Sequence, residues 1–499
     1  MSFRRNVIAS YASQIYVTVI GIVIVPLYIR YMGVEAYGLV GFYAMLQAWF
    51  QLLDMGLSPT MARETARHAG GAVDGLTLRR LLRALEAFFL AIAAVGVLAL
   101  VLGADWVASR WLNAQQLSTE QVRVAIQLMA GIVGLRWMAA LYRSALGGFE
   151  QQVWLGALNA SSATARFVLV IPVLMFVGTT PAHFFGHQLL VALVETALLA
   201  RRTYRLLPPL PVGTPVGLHW HPLRERLHFS LSLAFTSAVW VGVTQSDKLL
   251  LSKLLPLSEY AHFSLAVLFA SAVSILSGPL SSALLPRLSR LQAQGDEAGL
   301  LTLYRQATQG TAIVALPVAL ALCFGAEPLL RAWTGDAALA QQTATILRLY
   351  AAGNAALAIA AFAYYLQFAK GDVRLHLVGN LIFLTVLVPA IWLATLHYGA
   401  QGAGWAWLTI NVVYLLLWVP LVHRRFAPGL HGSWLLRDVL LIALPPAVLT
   451  WLAERWVPWP HNPVAVGAML AAAAMLLALL AMLASPHVRG FVKRQLQAA

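Results

Sequence analysis

The 499-residue chain is 60% hydrophobic and only 11% charged, with a net charge of +15 and a mean hydropathy of +0.74; soluble domains carry charge on about a quarter of their residues. This excludes an ordinary water-soluble globular enzyme and points to an integral membrane protein. One cysteine, Cys323, excludes an intrachain disulfide, and the absence of a Gly-rich phosphate loop, an HExxH pair or paired cysteines leaves nucleotide-driven and metal-dependent chemistry without their parts, so no cofactor is expected.

In chain order, the basic opening "MSFRRNVIAS" runs into an apolar helix over 6–29 without a small-residue cleavage site, which reads as an uncleaved anchor. Apolar runs of about 18 to 25 residues, the length that crosses a bilayer, follow over 36–57, 84–103, 121–146, 152–178, 181–200, 226–250, 258–284, 308–332, 342–368, 374–397, 401–422, 438–456 and 463–484. The expectation is an all-α membrane protein of 14 spans. The range is 12 to 14, because the runs at 181–200 and 438–456 are short or Pro-interrupted and 342–368 begins polar.

Lys and Arg mark the cytoplasmic side. With the N-terminus inside, 24 of the 34 fall on the inner side and seven on the outer, while Arg136, Arg166 and Lys248 fall within spans. Both termini are therefore expected in the cytoplasm. The positive charge reflects this bias and contact with anionic headgroups of the lipid bilayer, and no nucleic-acid partner is implied.

The segment "RYMGVEAYG" (30–38) is echoed by "KLLPLSEYA" (253–261), and "FEQQVWLGALN" ending at Asn159 by "KGDVRLHLVGN" ending at Asn380. Shifts of 223 and 221 residues, six spans apart, indicate a six-helix unit used twice in the same orientation. The expected organisation is an N-terminal lobe over 1–200, a Pro-rich basic linker over 201–226, a C-terminal lobe over 227–425, and two extra spans with a tail over 426–499.

Residues at i, i+4 and i+7 share a helix face, and polar residues recur at that spacing: Asn6, Ser10, Gln14 and Thr18; Gln47, Gln51 and Asp54; Asn159, Ser162 and Arg166; Ser232, Thr236 and Asp247. Such stripes either glue helices together or line an aqueous cavity. Arg136 and Arg166 lie near the middles of adjacent spans, each costing about 2.5–3.5 kcal/mol to insert. A salt bridge to Glu195 or Glu86 and snorkelling are alternatives; a cavity for an anionic ligand is the leading reading. Arg143 extends the face of Arg136 toward the cytoplasm, and planar guanidinium groups match paired phosphate oxygens. Glu195, Asp54 and Asp247 are candidates for ion coupling, although Asp247 and Lys248 can form a local interfacial pair. His187, His228 and His262 can titrate near neutrality, or serve in packing. A membrane polymerase or ligase would need a larger outer domain or an acidic pair in an early outer loop, where only Glu35 stands. A cation-coupled drug exporter would want a carboxylate deep in the first half.

The stretches "NVIASYASQIYVTVIGIVIVPLYIRYMGVEAYGLVGFYAMLQAWFQLLDMGLSPTMARE", "RWMAALYRSALGGFEQQ", "QSDKLLLSKLLPLSEYAHFSLA" and "AKGDVRLHLVGN" followed by "YGAQGAGWAW" resemble the oligosaccharide flippases. These are the O-antigen and exopolysaccharide exporters of the superfamily that also holds MATE-type multidrug exporters. The resemblance implies two six-helix bundles forming a V around a central cavity, moving an undecaprenyl-diphosphate-linked sugar repeat between leaflets by alternating access, without enzymatic chemistry. It further implies a diphosphate site onto which Arg136, Arg166 and Arg143 map, lined by Asn159, Gln14, Gln47 and Gln51. A polysaccharide polymerase and a chain-length regulator are the partners it implies. Span 1 departs from the lipid II flippase pattern in having no arginine in its core. A MATE-like exporter and a glycan polymerase or ligase remain the alternatives.

Overall fold

The computed structural model describes residues 3–54, 56–209, 217 and 221–490, with the side chains of 3–11, 221–237, 277–283, 285 and 286 outside that description. The stripe members Asn6, Ser10, Ser232 and Thr236, and His228, therefore lie outside the described side chains. The chain divides into two compact units, Met1–Ala261 and His262–Ala499.

In the first unit, α1 (Phe3–Val23) gives way at Ile24 to α2 (Val25–Met32), which carries Pro26 in its first turn. Gly33, at φ 88°, turns the chain into α3 (Val34–Phe50). A 3-10 turn over Gln51–Asp54 then leads into α4 (Leu57–Ala69). Next comes α5 (Gly75–Trp106), whose first turn is capped by Asp74 accepting from the Thr77 amide at 2.8 Å. A reciprocal Ser118–Gln121 capping box starts α6 (Thr119–Gly148). The unit continues through α7 (Gln152–Phe167), α8 (Val170–Phe176), α9 (Pro181–Leu206) and α10 (His221–Leu254).

The core of this unit forms around α6, whose Trp137 stacks on Phe89 of α5 with ring centroids 4.3 Å apart, beside Leu57, Met61 and Leu85. The approach of α4 to α6 needs a glycine. A Cβ on Gly148 would stand 2.3 Å from the Ala62 carbonyl oxygen. The amphipathic α4 occupies a stretch expected as loop, and the expected span 36–57 ends as α-helix at Phe50. The echoed segments 30–38 and 253–261 meet within this unit, with Gly38 packed so tightly on Leu257 that a Cβ would lie 2.4 Å from its carbonyl oxygen.

The second unit begins within the first turns of α11 (Leu257–Ala293). It continues through α12 (Glu297–Phe324), α13 (Ala326–Thr334), α14 (Ala337–Ala360), α15 (Phe362–Ala369), α16 (Arg374–Val413), α17 (Val419–Phe426), α18 (Leu430–Ser433), α19 (Leu441–Trp456) and α20 (Pro463–Ala484). The buried Asp438 accepts from Arg305 at 2.6 Å and Gln309 at 2.6 Å, and Gln309 accepts from Ser485 at 2.5 Å. This ties both C-terminal segments to α12.

The all-α membrane fold is as expected. Eleven helices among the described residues are long and apolar enough to cross a membrane. One of them, Arg374–Phe426, is 53 residues long, about twice what a bilayer needs. It doubles back at Gly399, where φ is 58° and ψ is −146°, since a Cβ on Gly402 would meet the Ala394 carbonyl oxygen at 2.1 Å. That turn falls between the expected spans 374–397 and 401–422. Large apolar side chains such as Leu102, Phe176, Val464 and Met475 are exposed, the inverse of a water-soluble surface and the pattern that lipid permits.

Candidate substrate-binding site

The cationic cluster of the first unit is built on a broken helix. Pro172 has no N–H to continue the ladder and its ring crowds the preceding turn, so α7 stops at Phe167 and α8 starts at Val170. The carbonyls released there take side-chain donors. His187 Nε2 lies 2.9 Å from the Ala165 oxygen, Gln188 Nε2 donates to Arg166 O at 2.7 Å, and the Tyr28 hydroxyl donates to Phe167 O at 2.9 Å. His187 is thereby given a packing role, and the α7 break places Arg166 in the last turn of a half-helix. Its Nε donates back to Ser162 O at 3.3 Å, and its guanidinium carbon lies 5.3 Å from the centre of the Phe167 ring.

Around Arg166 stand Arg136 and Arg143 from α6, Glu195 from α9 and Tyr43 from α3, all within Coulombic reach. The pairing weighed for Arg136 falls instead on its neighbour two turns away. Arg143 donates to Glu195 Oε1 through Nη2 and to Asn159 Oδ1 through Nη1. The free extension of the Arg136 face expected at Arg143 is thus a closed triad of α6, α7 and α9. Glu195 Oε2 remains buried without a hydrogen-bond partner.

Arg136 is differently placed. Its Nε is buried without a hydrogen-bond partner. Its side chain helps line a cavity of about 80 Å³ shared with Gln47, Phe50, Gln51, Val133, Trp137 and Ala140. The Tyr43 hydroxyl lies beside its guanidinium. An unsatisfied guanidinium N–H beside two glutamine side chains, at a depth where each lost hydrogen bond is costly, is a site waiting for acceptors. Three guanidinium groups, Arg136, Arg143 and Arg166, face one carboxylate, Glu195, so the cluster is short of negative charge by two.

The other expected residues are dispersed. Gln14 is exposed on α1, where the nearby Tyr16 hydroxyl meets Thr164 Oγ1 at 2.6 Å. Asp54 accepts from the Ser58 amide at 3.2 Å and from its hydroxyl, which makes it a cap for α4. Asp247 is 1% exposed and lies 3.4 Å from Lys248 Nζ, so the local charge pair is present. Glu35, counted above only as an outer-loop acid, is buried and accepts from the amides of Gln115, Gln116 and Leu117, clamping the loop before α6 to the start of α3.

Residues 3–292 match the family described as "Polysaccharide biosynthesis protein". No curated protein sequence matches the chain. Among solved structures, the chain is similar to the lipid II flippase MurJ in an inward closed conformation, with a TM-score of 0.73, 13% identity, and 95% of this chain and 98% of that chain covered. It is also similar to an inward-facing multidrug resistance MATE family transporter of the MOP superfamily, with a TM-score of 0.69, 13% identity and coverage of 84% and 96%. A third is the MATE multidrug transporter DinF-BH, with a TM-score of 0.60, 14% identity and coverage of 85% and 96%. Identities this low carry the fold, and these neighbours are a flippase and multidrug transporters.

Proposed function

This chain belongs to the polysaccharide biosynthesis protein family, and from that membership we propose that it is a flippase. Its cargo is an undecaprenyl-diphosphate-linked oligosaccharide repeat, carried across the bacterial inner membrane for O-antigen, capsule or exopolysaccharide synthesis. The observation that carries the reading is the unpartnered Nε of Arg136 at a Gln-lined cavity, within Coulombic reach of Arg166. Two guanidinium groups without carboxylate partners suit a diphosphate, whose charge and paired acceptors complete what the protein leaves open.

In this reading Arg136 and Arg166 hold the diphosphate while Gln47 and Gln51 contact the adjoining sugar. Arg143 stays with Glu195 and Asn159. Glu195 is the ion-coupling candidate that touches the site; Asp54 and Asp247 are occupied elsewhere. Two halves joined by the segment between α9 and α10 alternate access, both termini lie in the cytoplasm, and the product passes to a polymerase and a chain-length regulator. No step makes or breaks a covalent bond.

A MATE-like exporter of organic cations has the support of the fold likeness, but an excess of positive charge in the first unit repels such a cargo. The test is mass spectrometry of lipid extracts from a deletion strain. Accumulated polyprenyl-diphosphate-linked glycan that disappears on complementation supports the flippase; unchanged lipids and surface glycan with heightened drug sensitivity support the exporter.

A further inference from the structure

A second polar site lies on another face of α6. At 100° per residue, Met138 points away from Arg136 while Tyr142 lies about 120° from Arg136 and about 100° from Arg143, and both border a cavity of about 630 Å³ bounded also by Arg83, Glu86, Ala87 and Leu90 of α5, Tyr204 of α9 and Gly217. Glu86 is its centre. Its Oε1 accepts from the Tyr142 hydroxyl at 2.9 Å and the Tyr204 hydroxyl at 2.8 Å, and its Oε2 lies 2.6 Å from the latter. Both donors are neutral, so they orient the carboxylate without cancelling its charge. Arg83 stands one turn earlier on the same face of α5, exposed, with its guanidinium carbon 5.9 Å from the centre of the Tyr204 ring. Among the described residues no ion pair joins it to Glu86.

The rim of the cavity continues onto exposed apolar surface. Leu90, on its lip, is 61% exposed and begins an exposed apolar stripe continued by Val95, Leu98 and Leu102. Arg79 and Arg80 lie in the first turns of α5 before this stripe, with Arg79 donating to Pro208 O at 2.8 Å, a basic end of the kind found at the headgroup level. A ligand that satisfies the place must bring a hydrogen-bonding cation to Glu86, an anion to Arg83 about one turn away, and a hydrocarbon chain to the stripe. An anionic lipid would set its charge against Glu86. A quaternary ammonium could not donate a hydrogen bond to the carboxylate, and a polyprenyl diphosphate brings no cation.

We propose that α5, α6 and α9 form a binding site for a phospholipid with a phosphoethanolamine headgroup, its ammonium on Glu86, its phosphate on Arg83 and its acyl chains along the exposed face of α5. The site is independent of the flippase reading, since it shares no residue with the arginine cluster.

Native mass spectrometry of the purified full-length chain, titrated with phosphatidylethanolamine, phosphatidylcholine and phosphatidylglycerol, tests it. Phosphatidylethanolamine should bind tightest, and Glu86→Gln, which keeps the tyrosine hydrogen bonds, should weaken it about ten- to a hundredfold, the worth of one charge-assisted contact. Arg83→Gln, at the exposed rim, should weaken it as well and provides a second variant if Glu86→Gln folds poorly. Equal binding of the three lipids, a preference for phosphatidylglycerol, unchanged affinity in the two variants, or soluble phosphoethanolamine binding as tightly as the lipid would each overturn the proposal.

Discussion

Replacing Glu195 with Gln removes the one carboxylate among three arginines while keeping its shape. Glu195 is 6% exposed and Arg143 30% exposed in their ion pair. Deleting one member of a buried pair costs about 3–5 kcal/mol, and the partial solvation of Arg143 puts the loss near the lower end, about 3 kcal/mol. For a unit of this size each kcal/mol moves the melting temperature by about 2–4 °C, so thermal unfolding of the purified chain in detergent should fall by about 6–12 °C. Arg143→Met in the Glu195→Gln background should recover much of the loss, because it deletes the charge left without a partner. Pyrophosphate at about one hundred times its dissociation constant adds about 2.7 kcal/mol to a protein that binds it, so it should restore most of the Glu195→Gln melting temperature. A melting point within about 2 °C of the unsubstituted chain, or strict additivity of the Glu195 and Arg143 substitutions, would refute the assignment of Glu195 as counter-charge to the cluster.

Other expectations follow from single contacts. Gly148→Ala sets a Cβ against the Ala62 carbonyl and should cost about 1–3 kcal/mol through overpacking, read as a lower melting temperature. Asp438→Ala leaves Arg305 and Gln309 without their acceptor and should cost on the order of 3 kcal/mol, with the C-terminal helices the first to gain protease sensitivity. The Thr77 hydrogen bond holds the Asp74 carboxyl below its usual value. Its contribution is therefore complete above the unfolded carboxyl value of about 4 and lost as pH falls through the lower folded value. The protection of the amides at the start of α5, taken relative to their intrinsic exchange at each pH, should fall over that acid range in the natural chain and stay constant in Asp74→Asn.

The helical fold was legible because a bilayer imposes a length and an apolar composition on every crossing segment, and the reversal at Gly399 falls in the gap between the expected spans 374–397 and 401–422. The arginines could be found from their depth, and their partners could not. Spacing along α6 placed Arg143 on the Arg136 face, but the Glu195 that engages it arrives from α9, and no pattern along one helix reveals what a third helix supplies. Glu86, a candidate partner for Arg136 by sequence, meets α6 on a different face, through Tyr142. The role of Glu35 was hidden for a similar reason: its ligands are backbone amides of a distant loop, which leave no mark in the side-chain sequence. The short amphipathic α4 leaves no bilayer-length apolar run in the sequence, because a helix that does not cross the membrane needs none.

Reconstitution into liposomes decides the central assignment. With a polyprenyl-diphosphate-linked sugar in the membrane, transfer between leaflets can be read by exposure of the sugar to an added, membrane-impermeant lectin. The unsubstituted chain should accelerate transfer, and Arg136→Ala combined with Arg166→Ala should abolish the acceleration while inserting normally. Transfer at the full rate by the doubly substituted chain would contradict a diphosphate site at these two arginines.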